Sequence, residues 1–217
     1  MTFKMKINSI LINHIIYPVK NLGFGNRVGI WFQGCTIHCK GCMAKYTWDF
    51  DDKYKMTYEE VYKELKKYSK HKPYGVTISG GEPFDQPEGL LKILDICHEL
   101  NFDEILVYSG YNFDYLTNKY PKILSMIDIL ISEPFIEELP TKKIWRGSDN
   151  QKLHILSHRC KERYKGIDLD SLCYEGEPSI QVEIFDDSVL IIGIPRRGDL
   201  EKLKEYLKYR GVYIWEK

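Results

Sequence analysis

The feature that most constrains the fold is a pattern, used three times, in which a short apolar segment ends in a loop that contains glycine. In the first of these segments Val28, Ile30 and Phe32 occupy alternate positions, as apolar residues do in a β-strand. Strands are predicted at 27–33, 75–78, 105–108 and 127–131, with helices at 58–69 and 87–100. Strands and helices that alternate at this spacing form a parallel sheet with right-handed crossovers, and ligands collect where the parallel strands end. The sequence therefore predicts an α/β fold whose site lies at that edge of the sheet.

The predicted helices carry clear start signals. Thr57 precedes the first helix as an N-cap, and Glu60 follows three residues later, which is the spacing of a capping box. Pro121 divides the helical stretch after the third strand, because proline fits the first turn of a helix and not its interior.

The chain changes character beyond Pro134, where the periodicity weakens and a loop-rich connection is predicted. The elements expected after this connection are a hairpin at 180–184 and 189–194 that turns at Asp186-Asp187, a helix at 199–208 and a strand at 212–215. A chain of 217 residues is expected to form a single structural domain. Residues 1–156 are predicted to form its core, and residues 157–217 a C-terminal extension (hairpin, helix and strand) that completes or flanks the sheet.

Composition excludes several functions. The chain has 31 basic and 31 acidic residues, so it has no long-range field to attract nucleic acid or an anionic membrane surface. No apolar run approaches the roughly 18 residues that a membrane-spanning helix needs. Lys4 and Lys6 precede a short apolar stretch, but Asn13 and His14 interrupt it and no signal-peptide cleavage site follows. Six cysteines, three of them within eight residues, indicate a reducing cytoplasm rather than a secreted disulfide scaffold.

These three clustered cysteines carry most of the chemical information. Cys35, Cys39 and Cys42 form a C-x3-C-x2-C loop directly after the first predicted strand. Three unrelated buried thiols are one explanation, and a zinc site completed by His38 is another, although residues so close in a tight loop rarely converge on one ion. A cubane iron-sulfur cluster takes one cysteine per iron, so three thiolates would leave one iron open to bind a substrate.

The sequence resembles the radical SAM superfamily in two motifs, the C-x3-C-x2-C loop after the first strand and Gly80-Gly81-Glu82-Pro83 after the second. Within that superfamily it is similar to the activating enzymes of anaerobic ribonucleotide reductase, over about residues 8–156. The segments that carry this similarity are Gly34-Cys35, Lys40-Gly41-Cys42, Val76 to Pro83, Val107 to Tyr111 and Arg146 to Gln151.

The resemblance implies a partial (β/α) barrel with mostly parallel strands and a [4Fe-4S] cluster on Cys35, Cys39 and Cys42. The fourth iron would bind the amino and carboxylate groups of S-adenosylmethionine. Reductive cleavage of this cofactor would yield a 5'-deoxyadenosyl radical that abstracts a hydrogen atom from the substrate. No catalytic residue beyond the cluster ligands is expected.

The resemblance also implies contacts to S-adenosylmethionine. It implies that Gly80, Gly81 and Glu82 contact the methionyl amino group, and their position after the second strand is at the edge where ligands gather. The further cofactor-binding residues expected are Gly41, Ser79, Ser109, Arg146 and Asn150. From the residues alone, Ser109 fits an ordinary turn equally well, and the polar segment at 146–151 fits a solvated loop.

The same resemblance implies a protein partner, a glycyl-radical enzyme such as anaerobic ribonucleotide reductase, and an electron donor such as flavodoxin or ferredoxin. The tail from Ser157 onward departs from the compact pattern of these activases, so modification of a peptide or small molecule by the same chemistry stays open. An alternative of another class is a non-catalytic iron-sulfur or zinc module.

Histidines and cysteines outside the loop have simpler explanations. His154 and His158 are four residues apart, with Cys160 close behind and Cys173 further on. A second metal site there competes with an ordinary strand ending, and no auxiliary cluster is predicted. Cys97 shares the apolar face of its helix and is expected in the core.

Three aromatic residues near the motifs have two interpretations each. Trp31 and Trp48 bracket the cysteine loop and are expected to cover the cluster and cap the core rather than to contact substrate. Tyr111 is expected either to touch the cofactor or partner or to pack at the start of a helix.

Overall fold

The computed structural model describes residues 8–176, 180–185, 189–193, 195 and 198–210. Its strands are β1 (Ser9–Val19), β2 (Arg27–Phe32), β3 (Lys55–Thr57), β4 (Gly75–Gly80), β5 (Ile105–Tyr108), β6 (Ile129–Ser132), β7 (Lys152–Ile155), β8 (Gln181–Ile184) and β9 (Val189–Ile192). Its helices are α1 (Tyr58–Ser69), α2 (Pro87–Glu99), α3 (Phe113–Lys119), α4 (Pro121–Leu124), α5 (His158–Arg163) and α6 (Asp199–Tyr209). Among these described helices, none has the length and apolar character needed to cross a bilayer.

Seven strands form one sheet in the order β3-β1-β2-β4-β5-β6-β7, and β8 and β9 form a separate antiparallel pair. The central strands β2, β4, β5 and β6 are parallel, as predicted, so their carboxyl ends lie at one edge. β1 and β7 run antiparallel to the central strands, and β3 pairs antiparallel to β1. The architecture is a mixed α/β fold with a parallel-rich sheet.

Most predicted elements are confirmed, with small shifts at their ends. α1 begins at its predicted capping box: the Glu60 N–H donates to Thr57 Oγ1 at 3.2 Å, and the Thr57 N–H donates to Glu60 Oε2 at 2.8 Å. Pro121 divides the next helical stretch into α3 and α4. β6 starts two residues later than predicted, because the Asp128 carboxylate accepts the Ile105 N–H at 2.8 Å and takes the place of a strand partner there.

The sequence pattern does not predict β3, β7 or α5. β7 and α5 lie in the stretch beyond Pro134 that was expected to be irregular, so that expectation is wrong for these residues. β7 is four residues long and has polar Lys152 and His154 at alternate positions. Such a short strand is specified by pairing with β6 more than by its own periodicity. The turn predicted at Asp186-Asp187 and the strand predicted at 212–215 lie outside the described residues.

The two faces of the sheet are covered differently. Side chains of α1 to α4 pack on one face against alternate strand residues such as Ile30, Ile78 and Val107, which are fully buried. Intervening residues such as Trp31 and Tyr108 point the other way, because successive side chains of a strand alternate between faces. We call the face that carries Trp31 and Tyr108 the inner face.

Residues after β7 pack against this inner face. Cys160 and Leu169 share a buried apolar cluster with Leu106 of β5, and Leu190 of β9 packs with Trp31 of β2. Within the described residues the extension therefore flanks the seven-stranded sheet and adds no strand to it. The domain boundary at 156/157 stays a prediction.

Candidate functional site

The cysteine loop begins where β2 ends, at the carboxyl edge of the parallel strands. The Gly34 N–H donates to the Thr47 carbonyl at 2.7 Å, and the Cys35 N–H donates to the Trp48 carbonyl at 2.9 Å. The His38 ring stacks on the Trp48 ring with centroids 4.5 Å apart. The loop is thus fixed by contacts that the chain itself provides.

The three cysteines of the loop are half-buried and have free thiols. Burial raises the pKa of Cys35 and of Cys39, while backbone hydrogen bonds act in the opposite direction, so a bound metal must displace their protons. In the part of the chain that the structure describes, no three His, Cys, Asp or Glu side chains converge closely enough to hold one metal ion. A cubane needs no such convergence, because each cysteine binds a different iron. The donor set therefore fits a three-cysteine cluster.

The other cysteines lie apart from the loop. Cys97 is buried in the core on α2, as expected, and burial raises its pKa to about 12. Cys160 is buried on α5 and Cys173 is exposed. His154 lies on β7, where its ring stacks on Phe113 with centroids 3.8 Å apart.

Gly80 ends β4 beside the cysteine loop, and Gly81 follows it. The Gly81 N–H donates to the Phe32 carbonyl and the Glu82 N–H donates to the Gly34 carbonyl, both at 2.8 Å. A Cβ at Gly81 would collide with the Gly34 carbonyl oxygen, and Gly80 has a left-handed backbone with φ of 102°. Glycine is therefore required for this close approach of the two loops.

The Glu82 carboxylate joins the β4 loop to the loop after β5. Its Oε1 accepts the Phe84 N–H at 3.0 Å and the Ser109 hydroxyl at 2.9 Å, and its Oε2 accepts the Gly110 N–H at 2.7 Å. Burial raises the pKa of Glu82 to about 7, although these hydrogen bonds lower it. The predicted residues Glu82 and Ser109 are thus brought together, and the carboxyl group changes its charge near neutral pH.

Sequence reasoning misses Asp85, which joins the cysteine loop to the loop after β5. Its Oδ2 accepts the Thr36 N–H at 2.7 Å and the Thr36 hydroxyl at 2.9 Å, and its Oδ1 accepts the Tyr111 hydroxyl at 2.6 Å. Burial, together with the bond to Asp85, raises the pKa of Tyr111 to about 12. We call Asp85, Thr36 and Tyr111 the Asp85 latch. The only sequence signal for it is the position of Asp85 three residues after Glu82.

Gly41 and Ser79 lie on either side of this arrangement. Gly41 has a left-handed φ of 73° in the cysteine loop and lies against Glu137, which belongs to the loop after β6. Ser79 is half-buried on β4 and pairs in register with Trp31 of β2. Ser79 therefore belongs to the inner face at its carboxyl end.

Arg146 and Asn150 differ in how well their contacts suit a cofactor role. The Arg146 guanidinium donates to Asp170 Oδ1 at 2.6 Å and to the Leu169 carbonyl at 2.9 Å, so it holds part of the extension in place. The Asn150 Nδ2 donates to the Pro134 carbonyl at 2.8 Å, while its Oδ1 is buried with no partner among the described residues. The structure thus leaves a free acceptor on Asn150 and engages the donors of Arg146 elsewhere.

Three curated proteins that are similar to this chain are each named as an activating protein or an activating enzyme. The anaerobic ribonucleoside-triphosphate reductase-activating protein of Enterobacteria phage T4 is 34% identical over 143 residues, which are 64% of this chain and 90% of that protein. The protein of the same name from Escherichia coli (strain K12) is 30% identical over 152 residues, 66% of this chain and 97% of that protein. The pyruvate formate-lyase-activating enzyme of Clostridium pasteurianum is 33% identical over 126 residues, 54% of this chain and 50% of that protein.

Among solved structures, QueE from Escherichia coli is a distant likeness, with a TM-score of 0.40 and 19% identity over 47% of this chain and 53% of that one. The sequence matches the 4Fe-4S single cluster domain family over residues 21–154, which is more than half of the 217 residues and includes all three loop cysteines. The chain belongs to this family of 4Fe-4S single cluster domains, within the radical SAM superfamily.

Proposed function

We propose that this protein activates a glycyl-radical enzyme, such as an anaerobic ribonucleotide reductase, by radical SAM chemistry. The observation that carries the proposal is a loop of three half-buried thiols held against the carboxyl ends of β4 and β5. The names of the curated relatives, which describe activating proteins, support the same conclusion.

The cofactors of this family are a [4Fe-4S] cluster and S-adenosylmethionine. Cys35, Cys39 and Cys42 would hold the cluster, and the remaining iron would be open to S-adenosylmethionine. When bound, the two groups supply reductive cleavage to a 5'-deoxyadenosyl radical, which can take a hydrogen atom from a glycine residue. The task of the chain is to position the cofactors and the glycine and to exclude water.

Glu82 is proposed to orient the methionyl ammonium group. A carboxylate has about four acceptor positions, and Glu82 uses three of them on Phe84, Ser109 and Gly110. None of these partners is a cation, so burial leaves the negative charge uncompensated and raises the pKa to about 7. An ammonium group at the remaining position would stabilise the carboxylate and lower that pKa.

The other predicted cofactor contacts have unequal support. Ser109 bonds to Glu82, and Asn150 has a buried oxygen without a protein partner. The remaining proposed contacts are Gly41 in the cysteine loop, Ser79 and Gly80 at the end of β4, and Gly81 directly after it. A cofactor contact from Arg146 stays a prediction that its bonds to Asp170 and Leu169 do not favour.

We also propose the wider setting of this activity. The parallel-rich sheet would be the partial (β/α) barrel of the superfamily, with residues 1–156 as its core. An electron donor such as flavodoxin or ferredoxin would reduce the cluster. Six free thiols suit a reducing cytoplasm.

The proposal is tested with anaerobically reconstituted protein, S-adenosylmethionine, a reductant and a candidate glycyl-radical enzyme. We expect a glycyl radical on the partner by electron paramagnetic resonance, with 5'-deoxyadenosine formed in proportion. A matched sample with Cys39→Ala should show neither product, because one corner of the cluster is lost.

Two other results would each contradict part of the proposal. Formation of 5'-deoxyadenosine with no radical on any glycyl-radical partner would assign the same chemistry to a peptide or a small molecule. A reduced, iron-loaded sample that forms no 5'-deoxyadenosine at all would indicate a non-catalytic module.

A further inference from the structure

Residues 169–174 of the extension, which we call the clamp, pair with the chain just before its polar segment. The Ile144 N–H donates to the Leu172 carbonyl at 2.9 Å, and the Tyr174 N–H donates to the Lys142 carbonyl at 3.0 Å. Two backbone hydrogen bonds, one in each direction, therefore fix this stretch of chain against the clamp.

Trp145, the next residue along, has a backbone conformation that needs support. Its φ of 60° is left-handed, which a bulky side chain rarely adopts, and the side chain is buried. The Trp145 N–H donates to the Tyr174 hydroxyl of the clamp at 2.9 Å, and the Trp145 carbonyl accepts the Tyr108 hydroxyl of β5 at 2.7 Å. A strained conformation of this kind persists only where its surroundings hold it, and here one of the two holding hydroxyls comes from the clamp.

Arg146 is fully buried and depends on the clamp for the balance of its charge. Its guanidinium donates to Asp170 Oδ1 at 2.6 Å and to the Leu169 carbonyl at 2.9 Å. Within the described part of the chain, Asp170 is its one salt-bridge partner. A buried guanidinium that loses its counter-ion is costly, so the clamp fixes this side chain as well as the backbone before it.

Residues 147–151, which follow directly, support the loop after β6. The Asp149 N–H donates to the Leu139 carbonyl at 2.8 Å, and the Ile136 N–H donates to the Ser148 hydroxyl at 3.1 Å. The two segments are thus joined at two points, so a shift of 147–151 would also move the loop after β6.

The loop after β6 lies in turn against the cysteine loop. Lys40 Nζ is 2.7 Å from Glu138 Oε1, and a Cβ at Gly41 would meet the Glu137 side chain at 2.8 Å. Contacts therefore run in series from the clamp through 147–151 and the loop after β6 to the loop that carries the three cysteines.

We propose that Asp170 and Tyr174 are positioning residues that hold Asn150 in place for the cofactor. The inference rests on the proposed function, in which the buried Asn150 Oδ1, unpartnered among the described residues, binds S-adenosylmethionine. A firmly held 147–151 segment pre-organises this oxygen, so less ordering remains to be done when the cofactor binds. The clamp acts through the residues that it holds and lies beyond residue 154, where the family match ends.

The test compares two tyrosines of the extension whose hydroxyls hold different parts of the fold. Tyr174→Phe leaves the buried Trp145 N–H without its acceptor, whereas Tyr164→Phe removes a bond to Glu104 at the amino end of β5. We expect Tyr174→Phe to weaken the affinity of the reconstituted protein for S-adenosylmethionine about threefold to tenfold, the effect of one lost hydrogen bond, with iron content unchanged. Tyr164→Phe should leave this affinity unaltered. Asp170→Asn, which removes the charge beside the buried guanidinium, should weaken it at least as much as Tyr174→Phe.

A second measurement follows the loops in the absence of S-adenosylmethionine. Amide hydrogen exchange of the reconstituted, unreduced protein is measured in peptides that cover 134–139 and 147–151. Exchange there should be about threefold to tenfold faster in Tyr174→Phe than in the wild type, and unchanged in Tyr164→Phe.

The outcomes separate this inference from the proposed function. Unchanged exchange or unchanged cofactor affinity in Tyr174→Phe would overturn the inference, as would an equal loss of affinity in Tyr164→Phe, which would indicate a general effect on stability. A wild-type protein that neither binds nor cleaves S-adenosylmethionine would instead count against the proposed function, and the exchange rates would still decide whether the clamp holds the loops.

Discussion

Two buried glutamates lie at opposite ends of the parallel strands and have opposite kinds of partner. Glu104, just before β5, meets Arg27 at 2.8 Å and Arg163 at 3.3 Å, and both of its oxygens are fully buried. Glu82, just after β4, is also buried but accepts only from neutral donors. The chain thus neutralises one carboxylate with its own cations and gives the other only neutral donors. The first holds the fold together, and the second is the one proposed to bind the cofactor.

The largest effect is expected where the site has no substitute donor. Cys39→Ala should abolish the four-iron absorbance and all cleavage of S-adenosylmethionine, because one corner of the cluster loses its thiolate. Unfolding of the iron-free protein should change little, since Cys39 is half-buried. As a control, Cys97→Ala should keep the iron and lower the free energy of unfolding by ~1 kcal/mol, as is typical of a small buried truncation. Equal iron loss in both variants would show that the cluster is not held by the cysteine loop.

The next largest effect is expected in the free energy of unfolding, at the end of the sheet where Glu104 lies. Glu104→Ala leaves the Arg27 guanidinium buried without its counter-ion, so we expect the free energy of unfolding to fall by about 3–5 kcal/mol. The matched control is Glu138→Ala, which breaks an exposed pair with Lys40 and should leave the free energy of unfolding nearly unchanged, because solvent screens exposed pairs. Denaturant unfolding of both variants measures the difference. Similar losses in the two variants would remove the structural role assigned to Glu104.

At the opposite end of the strands, a substitution of Glu82 should change the affinity for S-adenosylmethionine. Glu82→Gln keeps the size of the side chain and removes its charge, so affinity for S-adenosylmethionine should fall about 10- to 100-fold, as for loss of a charge-assisted hydrogen bond. Cluster content should be unchanged. Isothermal titration of the reconstituted protein measures this, and an unaltered affinity would remove Glu82 from the site.

Glu82 also gives the cofactor-free protein a pH dependence with a definite sign. Its folded pKa of about 7 lies above the ordinary 4.5, so the protonated group stabilises the fold fully below pH 4.5 and this contribution is lost as the pH rises through about 7. Between pH 5 and 8 the wild type should therefore lose stability relative to Glu82→Gln, by ~3 kcal/mol at most. The affinity for S-adenosylmethionine should rise over the same interval, because the carboxylate forms. Parallel stability curves for the two proteins would contradict this account.

The smallest effect is expected from the Asp85 latch. Tyr111→Phe removes one hydrogen bond to the Asp85 carboxylate and leaves the two bonds from Thr36, so the cysteine loop loses one of its ties. We expect iron release to a chelator to become a few times faster, up to about tenfold. Tyr115→Phe is the control, since the Tyr115 ring packs against Tyr111 in a tilted arrangement while its hydroxyl bonds to Lys119. Identical release rates would restrict Tyr111 to packing.

The residues that the sequence could reveal are those whose signal is local. The spacing of the three cysteines and the two glycines after β4 can be read directly, and the Thr57 capping box fixes the start of α1. Glu104 gives no such signal, because Arg27 and Tyr164 lie 77 and 60 residues away. The Asp85 latch is hidden for the same reason, since it joins loops from three different strands.

The extension shows the same limit at the level of the fold. The hairpin was predictable from the alternation of Val182 and Ile184 with polar neighbours. Its position on the inner face was not predictable, because that position depends on a hydrogen bond from Gln181 to the backbone at Pro18 and on the stacking of Phe185 on His14. Local pattern specifies an element, whereas distant side chains specify where it packs.

The most direct test of the central claim asks whether the cluster has a site for the cofactor that protein ligands do not fill. Anaerobically reconstituted protein is reduced, and its electron paramagnetic resonance spectrum is recorded with and without S-adenosylmethionine, alongside iron and zinc analysis. The account predicts about four irons per chain and a spectrum that changes when S-adenosylmethionine is added. A spectrum that the cofactor leaves unaltered, or a single zinc ion in place of iron, would contradict it.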